Sequence, residues 1–158
     1  GLPFEKVVRN VLRAKFLRQA LKAVPDIIKP NRVELEEYMG IDYRASEKEL
    51  LDAAEKFLES GIETIAVSMG KSGAMFVRDG YQVKCPALSV KSHSTVGAGD
   101  AMVAALAYAW DQKLGSEDTV KLCMATSAGA VTTVGTKPPS REVVDELINQ
   151  VVIQRAGE

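Results

Sequence analysis

Residues 63–85 read ETIAVSMGKSGAMFVRDGYQVKC, and the fold class turns on them. ETIAVSM is apolar and rich in β-branched residues, the composition of a buried strand. GAMFVRDGYQVKC holds two more such runs joined by Asp79-Gly80, a dipeptide that folds a chain back into a hairpin. Upstream, DIIKP is a short apolar run closed by proline and predicts another buried strand. Two helix-like segments lie between these strands. One runs from Asn31 to a glycine stop at Gly40; the other opens at Ser46, with Glu49 completing a capping box, and ends at Gly61. Strand, helix and strand alternate, so the expected architecture is an α/β sheet with an antiparallel hairpin.

The flanking thirds read as helical. EKVVRNVLRAKFLRQALKAV (residues 5–24) places Val8, Leu12, Phe16 and Leu17 at helical spacing among basic residues, which predicts one or two amphipathic helices closed by Pro25. Downstream, helices are expected over 98–112, over 116–133 with Ser116 as cap, and over 140–154 with Ser140 as cap. No repeat, low-complexity tract or internal linker interrupts the pattern.

The chain has 158 residues, 46% hydrophobic and 26% charged, which fits one soluble domain with a real core. A net charge of −1 offers no broad attraction to nucleic acid or anionic lipid, so any anion must be held by a local site. Two cysteines, Cys85 and Cys123, lack metal-type spacing, and His93 is the single histidine. Neither a zinc site nor a disulfide framework is expected, and a reducing, cytoplasmic setting fits best. No apolar run approaches the roughly 20 residues needed to span a bilayer, and the start, at Gly1, shows no leader pattern.

One stretch invites chemistry. Residues 94–107, STVGAGDAMVAALA, run from a glycine-rich turn into an apolar helix, with Asp100 at the junction. The unpaired N–H groups of a helix start, here those around Gly97, Ala98 and Gly99, can receive a phosphate or a developing oxyanion. Asp100 has two readings that spacing does not separate. It can offset the helix dipole, worth about 0.3 to 1 kcal/mol, or accept a proton from a substrate hydroxyl beside those N–H groups. The second is the chemistry of phosphoryl transfer. The stretch is not a common P-loop, because Asp100 and Ala101 stand where lysine and serine or threonine are needed, and a dinucleotide fingerprint would need a third glycine.

Two further segments carry weaker signals. In KPNRVEL, Asn31 and Glu34 have capping-box spacing, and a cap is the plainer reading. Lys29, however, stands at a strand end just before a helix, where open α/β sheets place ligands. In SMGKSG, the residues Ser68, Gly70 and Gly73 read locally as a strand-to-strand turn. Cys123 and Trp110 read as packing residues.

In this order, IIKPNRVELEEYMG, IAVSMGKSGAMF and VKSHSTVGAGDAMVAALAYA resemble the nucleotide-site segments and C-terminal signature of the ribokinase-like sugar kinases, in the phosphofructokinase-B branch that acts on sugar phosphates. The resemblance covers about residues 17–154; residues 1–16 match weakly, because the family has a strand and an aspartate-containing loop just before the helix at Leu17–Val24. It implies a three-layer α/β/α fold, with residues 1–158 as the C-terminal, nucleotide-binding part of one kinase domain. It implies ATP and Mg2+ as cofactors, and Asp100 as the base beside an anion hole of Gly97, Ala98 and Gly99. Lys29, Asn31 and Glu34 would face the phosphates and the magnesium, Glu34 through water. Ser68, Gly70 and Gly73 would line the nucleotide loop, and AGAVTTVGTK, with Thr133 and Gly135, would border the adenine. Carbonyls around Ser94, Val96, Ala130, Thr133 and Gly135 allow, without requiring, a monovalent cation such as K+.

The implied reaction is ATP-dependent phosphorylation of a ketohexose phosphate, with fructose 1-phosphate ahead of fructose 6-phosphate and tagatose 6-phosphate. Full-length relatives carry sugar-binding glycines, an acid for the sugar hydroxyls and a β-strand lid in an N-terminal half that these residues do not match. The chain is therefore expected to be a fragment or short form that binds nucleotide better than it turns over sugar, and to self-associate. The rival is a non-catalytic nucleotide-binding or assembly module; a third reading treats the glycines as turns only.

Overall fold

A computed structural model describes residues 26–91, 97–132 and 139–157. The helices expected within 5–24 lie outside the described residues, as do His93, Ser94, Val96, Thr133 and Gly135.

The expected alternation is present. Strand β1 (Ile27–Ile28) leads through helices α1 (Arg32–Met39) and α2 (Glu47–Glu59) to β2 (Thr64–Ser68), and β1 and β2 pair in parallel. A 3-10 turn, Gly70–Ser72, connects β2 to β3 (Ala74–Arg78), which pairs with it antiparallel. The hairpin turns at Asp79-Gly80 into β4 (Tyr81–Cys85), with Gly80 in the left-handed region at φ 69°. Helices α3 (Ala98–Asp111), α4 (Ser116–Thr132) and α5 (Arg141–Ile148) follow, and β5 (Gln154–Arg155) completes the sheet order β1-β2-β3-β4-β5.

Alternation along the strands builds the layers, because successive side chains leave opposite faces. Ile28, Ile65, Val67, Met75 and Val77 pack with Leu35 of α1 and Leu50, Ala54 and Phe57 of α2. Ile27, Ala66, Phe76 and Val83 pack on the other face with Met102 and Leu106 of α3 and Val120 and Cys123 of α4. Helix α5 adds Val144 and Leu147 to Ala125 of α4. These layers make the three-layer α/β/α arrangement.

Three caps follow the expected local chemistry. Asn31 and Ser46 each form a full capping box, with Glu34 and Glu49, and the Ser140 hydroxyl accepts from the Val143 N–H. Two expectations are corrected. Ser116 is the first residue of α4 rather than its cap, and its hydroxyl accepts from Arg78 Nη1 at 3.2 Å. Helix α5 stops at Ile148, not at 154, because the β-branched run after Gln150 turns Val151 and Ile153 onto the core and leads into β5, which pairs with β4. Among the described residues, no helix is long and apolar enough to cross a membrane.

Candidate active site

The chain of β1 ends at Lys29-Pro30-Asn31, and Asn31 serves two elements at once. It makes a parallel bridge to Ser68 at the end of β2, supported by Ser68 N–H donating to the Pro30 carbonyl at 3.1 Å, and it caps α1. Its Oδ1 accepts from Glu34 N–H at 2.7 Å, and Glu34 Oε1 accepts in return from Asn31 N–H at 3.2 Å. That bond occupies one carboxylate oxygen of Glu34. The other, Oε2, is buried and has no hydrogen-bond partner among the described residues. A buried, unpartnered carboxylate oxygen is costly unless a further ligand meets it.

Lys29 is buried, and its ammonium donates to Ser68 Oγ at 3.1 Å. Burial holds its pKa below the ordinary lysine value, while the negative charges of Glu34 and Asp100 pull it back up. Lys29 thus joins the strand ends to the start of α3. A Cβ placed on Gly99 would lie 3.4 Å from Lys29 Nζ, which puts the ammonium beside the first turn of α3.

Helix α3 begins after Gly97, whose φ of 90° is a conformation that L side chains rarely adopt. Its first backbone bond runs from Ala101 N–H to the Gly97 carbonyl at 2.9 Å. The N–H groups of Ala98, Gly99 and Asp100 have no partner among the described residues. The exposed carboxylate of Asp100 stands in this first turn. N–H donors with no partner among the described residues, a buried ammonium and the two carboxylates whose charges it feels therefore gather at one end of the sheet, an arrangement suited to a phosphate, a divalent cation and a proton acceptor.

Gly70 and Gly73 lie one and four residues beyond Met69 in a tight turn, closed by Met69 N–H donating to the Gly73 carbonyl at 2.8 Å. Gly73 has φ 90°, and a Cβ there would fall 1.9 Å from the Cys85 carbonyl oxygen. Its glycine is thus required by packing against β4. Ser68, expected to line the nucleotide loop, directs its hydroxyl to Lys29. Ala130 is buried in α4, whereas Thr133 and Gly135 lie outside the described residues.

Sequence reasoning missed two residues near the site. Arg32 donates to the Ala45 carbonyl, approaches Met69 Sδ at 3.8 Å and pairs with Glu36 at 3.6 Å, clamping the α1–α2 connection to the turn after β2. Ser127 of α4 donates to the Ala98 carbonyl at 3.2 Å. Only the Arg32–Glu36 pair, four residues apart, has a local signal; the contacts of Arg32 with Met69 and of Ser127 with Ala98 span 37 and 29 residues.

The donor set bears on Mg2+. Among the described residues no cluster of three or more His, Cys, Asp or Glu side chains could hold a metal alone. The unpartnered Glu34 oxygen beside Lys29 and Asp100 does fit a magnesium ion that takes one protein carboxylate and completes its shell with water and phosphate oxygens.

The chain is similar to known proteins in sequence and fold. The profile of the pfkB family carbohydrate kinase matches residues 1–143. The 1-phosphofructokinase of Haemophilus influenzae is 35% identical over 138 residues, covering 87% of this chain and 44% of the relative. The ribokinase of Thermotoga maritima superposes with a TM-score of 0.66 at 29% identity, covering 79% of this chain and 42% of that one. The phosphofructokinase-2 of Escherichia coli, solved in complex with potassium, has the same fold, with a TM-score of 0.73 at 24% identity over 95% of this chain and 53% of that one. The chain spans less than half the length of the curated relatives it matches. With the three-layer ribokinase-like fold and the family profile in agreement, the chain belongs to the pfkB family of carbohydrate kinases.

Proposed function

We propose that this chain carries the nucleotide site and the base of an ATP-dependent kinase for a ketohexose phosphate, with fructose 1-phosphate ahead of fructose 6-phosphate and tagatose 6-phosphate. The observation that carries the reading is the meeting of Lys29, the unpartnered Glu34 oxygen and Asp100 at the open start of α3. The likeness to a 1-phosphofructokinase supports putting fructose 1-phosphate first.

Asp100 removes the proton from the attacking sugar hydroxyl as its oxygen bonds to the γ-phosphorus; the bond to the bridging oxygen breaks and ADP leaves. The Ala98, Gly99 and Asp100 N–H groups and the Lys29 ammonium face the charge that develops on the transferred group. Glu34, alone or through water, would hold Mg2+, which supplies charge neutralisation on the phosphate oxygens when bound. Gly70 and Gly73 shape the turn beside the nucleotide, with Thr133 and Gly135 on the adenine side. A K+ site at Ser94, Val96, Ala130, Thr133 and Gly135 is part of the same proposal, supported by the potassium complex of the Escherichia coli protein.

The second reading, a nucleotide-binding or assembly module without turnover, concerns the 158 residues taken alone, which span 44% of the Haemophilus influenzae 1-phosphofructokinase. For the 158 residues alone we therefore expect Mg·ATP binding, self-association and little sugar phosphorylation. Titration calorimetry with Mg·ATP, paired with a coupled ADP-release assay on fructose 1-phosphate, tests this. Absence of heat with Mg·ATP sinks the nucleotide site; robust turnover by the chain alone removes the second reading. Where turnover is measurable, Asp100→Asn lowers the rate by at least about 100-fold with nucleotide affinity nearly unchanged, and a near-wild-type rate excludes Asp100 as the base.

A further inference from the structure

The peptide that joins Ala98 to Gly99 is the first of helix α3: its carbonyl lies within the helix's own bonding, while its N–H has no partner among the described residues. Gly97 precedes it in the left-handed region with no side-chain cap, and Gly99 follows it. Glycine has the widest backbone freedom, so a G-A-G start permits small tilts of this peptide plane that a bulkier flank would resist. Its two polar groups are coupled, because a planar trans peptide directs C=O and N–H in opposite senses. Whatever holds the Ala98 oxygen therefore aims the Gly99 N–H.

Ser127 adds a second hold on that oxygen beside the helix's own bond. From the middle of α4, 29 residues away, its hydroxyl donates to the Ala98 carbonyl at 3.2 Å. A Ser hydroxyl within a helix can instead bond back to a carbonyl one turn earlier in its own helix. Here it reaches across to the neighbouring helix. The bond ties α4 to the first residue of α3, on the side opposite to the open N–H groups, and it polarises the same peptide, strengthening its N–H as a donor.

We infer that Ser127 is a positioning residue for the anion hole, acting through the Ala98–Gly99 peptide to aim the Gly99 N–H at the phosphate of a bound nucleotide. The role presupposes that phosphate is received at the start of α3, as in the proposed function. Ser127 touches neither phosphate nor sugar, so its loss should weaken recognition of the phosphates and leave recognition of the nucleoside intact.

The chain itself serves for the test. Mg·ATP and adenosine are titrated calorimetrically into wild type, Ser127→Ala and Ser127→Thr, and folding of each is checked by thermal melting. Ser127→Ala is expected to bind Mg·ATP about 5-fold more weakly, the size of one neutral hydrogen bond, with adenosine affinity unchanged. Ser127→Thr keeps the hydroxyl and recovers Mg·ATP binding. A merely structural role would lower both affinities together. If wild type binds and Ser127→Ala keeps the wild-type ratio of the two affinities, or if Ser127→Thr behaves like Ser127→Ala, the positioning role is overturned and the nucleotide site stands. If wild type binds neither compound, the nucleotide site falls and this role falls with it.

Discussion

Lys29 is a charged side chain in a buried place, joined by a hydrogen bond to Ser68 and facing the charges of Glu34 and Asp100. Desolvation dominates these influences and lowers the folded-state pKa, so the folded chain gives up this proton before the unfolded chain does. The cost of the buried charge is therefore present at neutral pH and falls away as pH rises through the lowered value toward the ordinary 10.5. Lys29→Met, close in length and uncharged, should stabilise the chain at pH 7 by something on the order of 1 kcal/mol while weakening Mg·ATP binding. Urea denaturation at pH 7 and pH 10 checks the sign. The stability gap between variant and wild type should narrow at the higher pH, and a gap that widens would refute the assignment. A site residue that costs stability is what a phosphate-binding role would require.

At the scale of elements, the turn after β2 separates two glycines that look alike in SMGKSG. Gly70 has φ 55° with nothing within 4 Å of a Cβ, so Gly70→Ala should cost about 1 to 2 kcal/mol, the price of a left-handed residue. Gly73 has φ 90° and would drive a Cβ into the Cys85 carbonyl, so Gly73→Ala should cost at least about 3 kcal/mol or prevent folding. Equal losses in chemical denaturation would show that the packing of this turn against β4 is wrong. The same contrast explains what was legible in the sequence. The caps at Asn31, Ser46 and Ser140 were readable because each side chain bonds a backbone N–H three residues on. Ser116 carried the same signal and misled, since Arg78, 38 residues away, takes its hydroxyl. Strand β5 has two residues and exists through its pairing with β4, so nothing within its own stretch announced it. The site divides along the same line. The glycine turn and Asp100 could be found locally, but the bonds from Lys29 to Ser68 and from Ser127 to Ala98 depend on which strand ends and helices the fold brings together.

Across the whole molecule, the two apolar layers share the same strands. Phe76 and Val77 are adjacent in β3, yet Phe76 packs with the α3 and α4 side and Val77 with the α2 side. Neither layer can lose its packing without uncovering one face of a sheet whose other face is then held by half the contacts. Unfolding should therefore be a single cooperative transition. The one tryptophan, Trp110, packs against the α3 and α4 side and reports on it alone. Leu50, fully buried in α2 on the far side, touches the other layer. Leu50→Ala should lower stability by about 2 to 5 kcal/mol through the cavity it leaves. Urea curves followed by Trp110 fluorescence and by far-ultraviolet circular dichroism should shift together by that amount, with an unchanged slope. A fluorescence midpoint that stays in place while the dichroism midpoint falls would mean that the layers unfold separately. The anion hole and Asp100 would then rest on the α3 and α4 layer alone, and Lys29, just past the end of β1, could not hold them in register with Glu34.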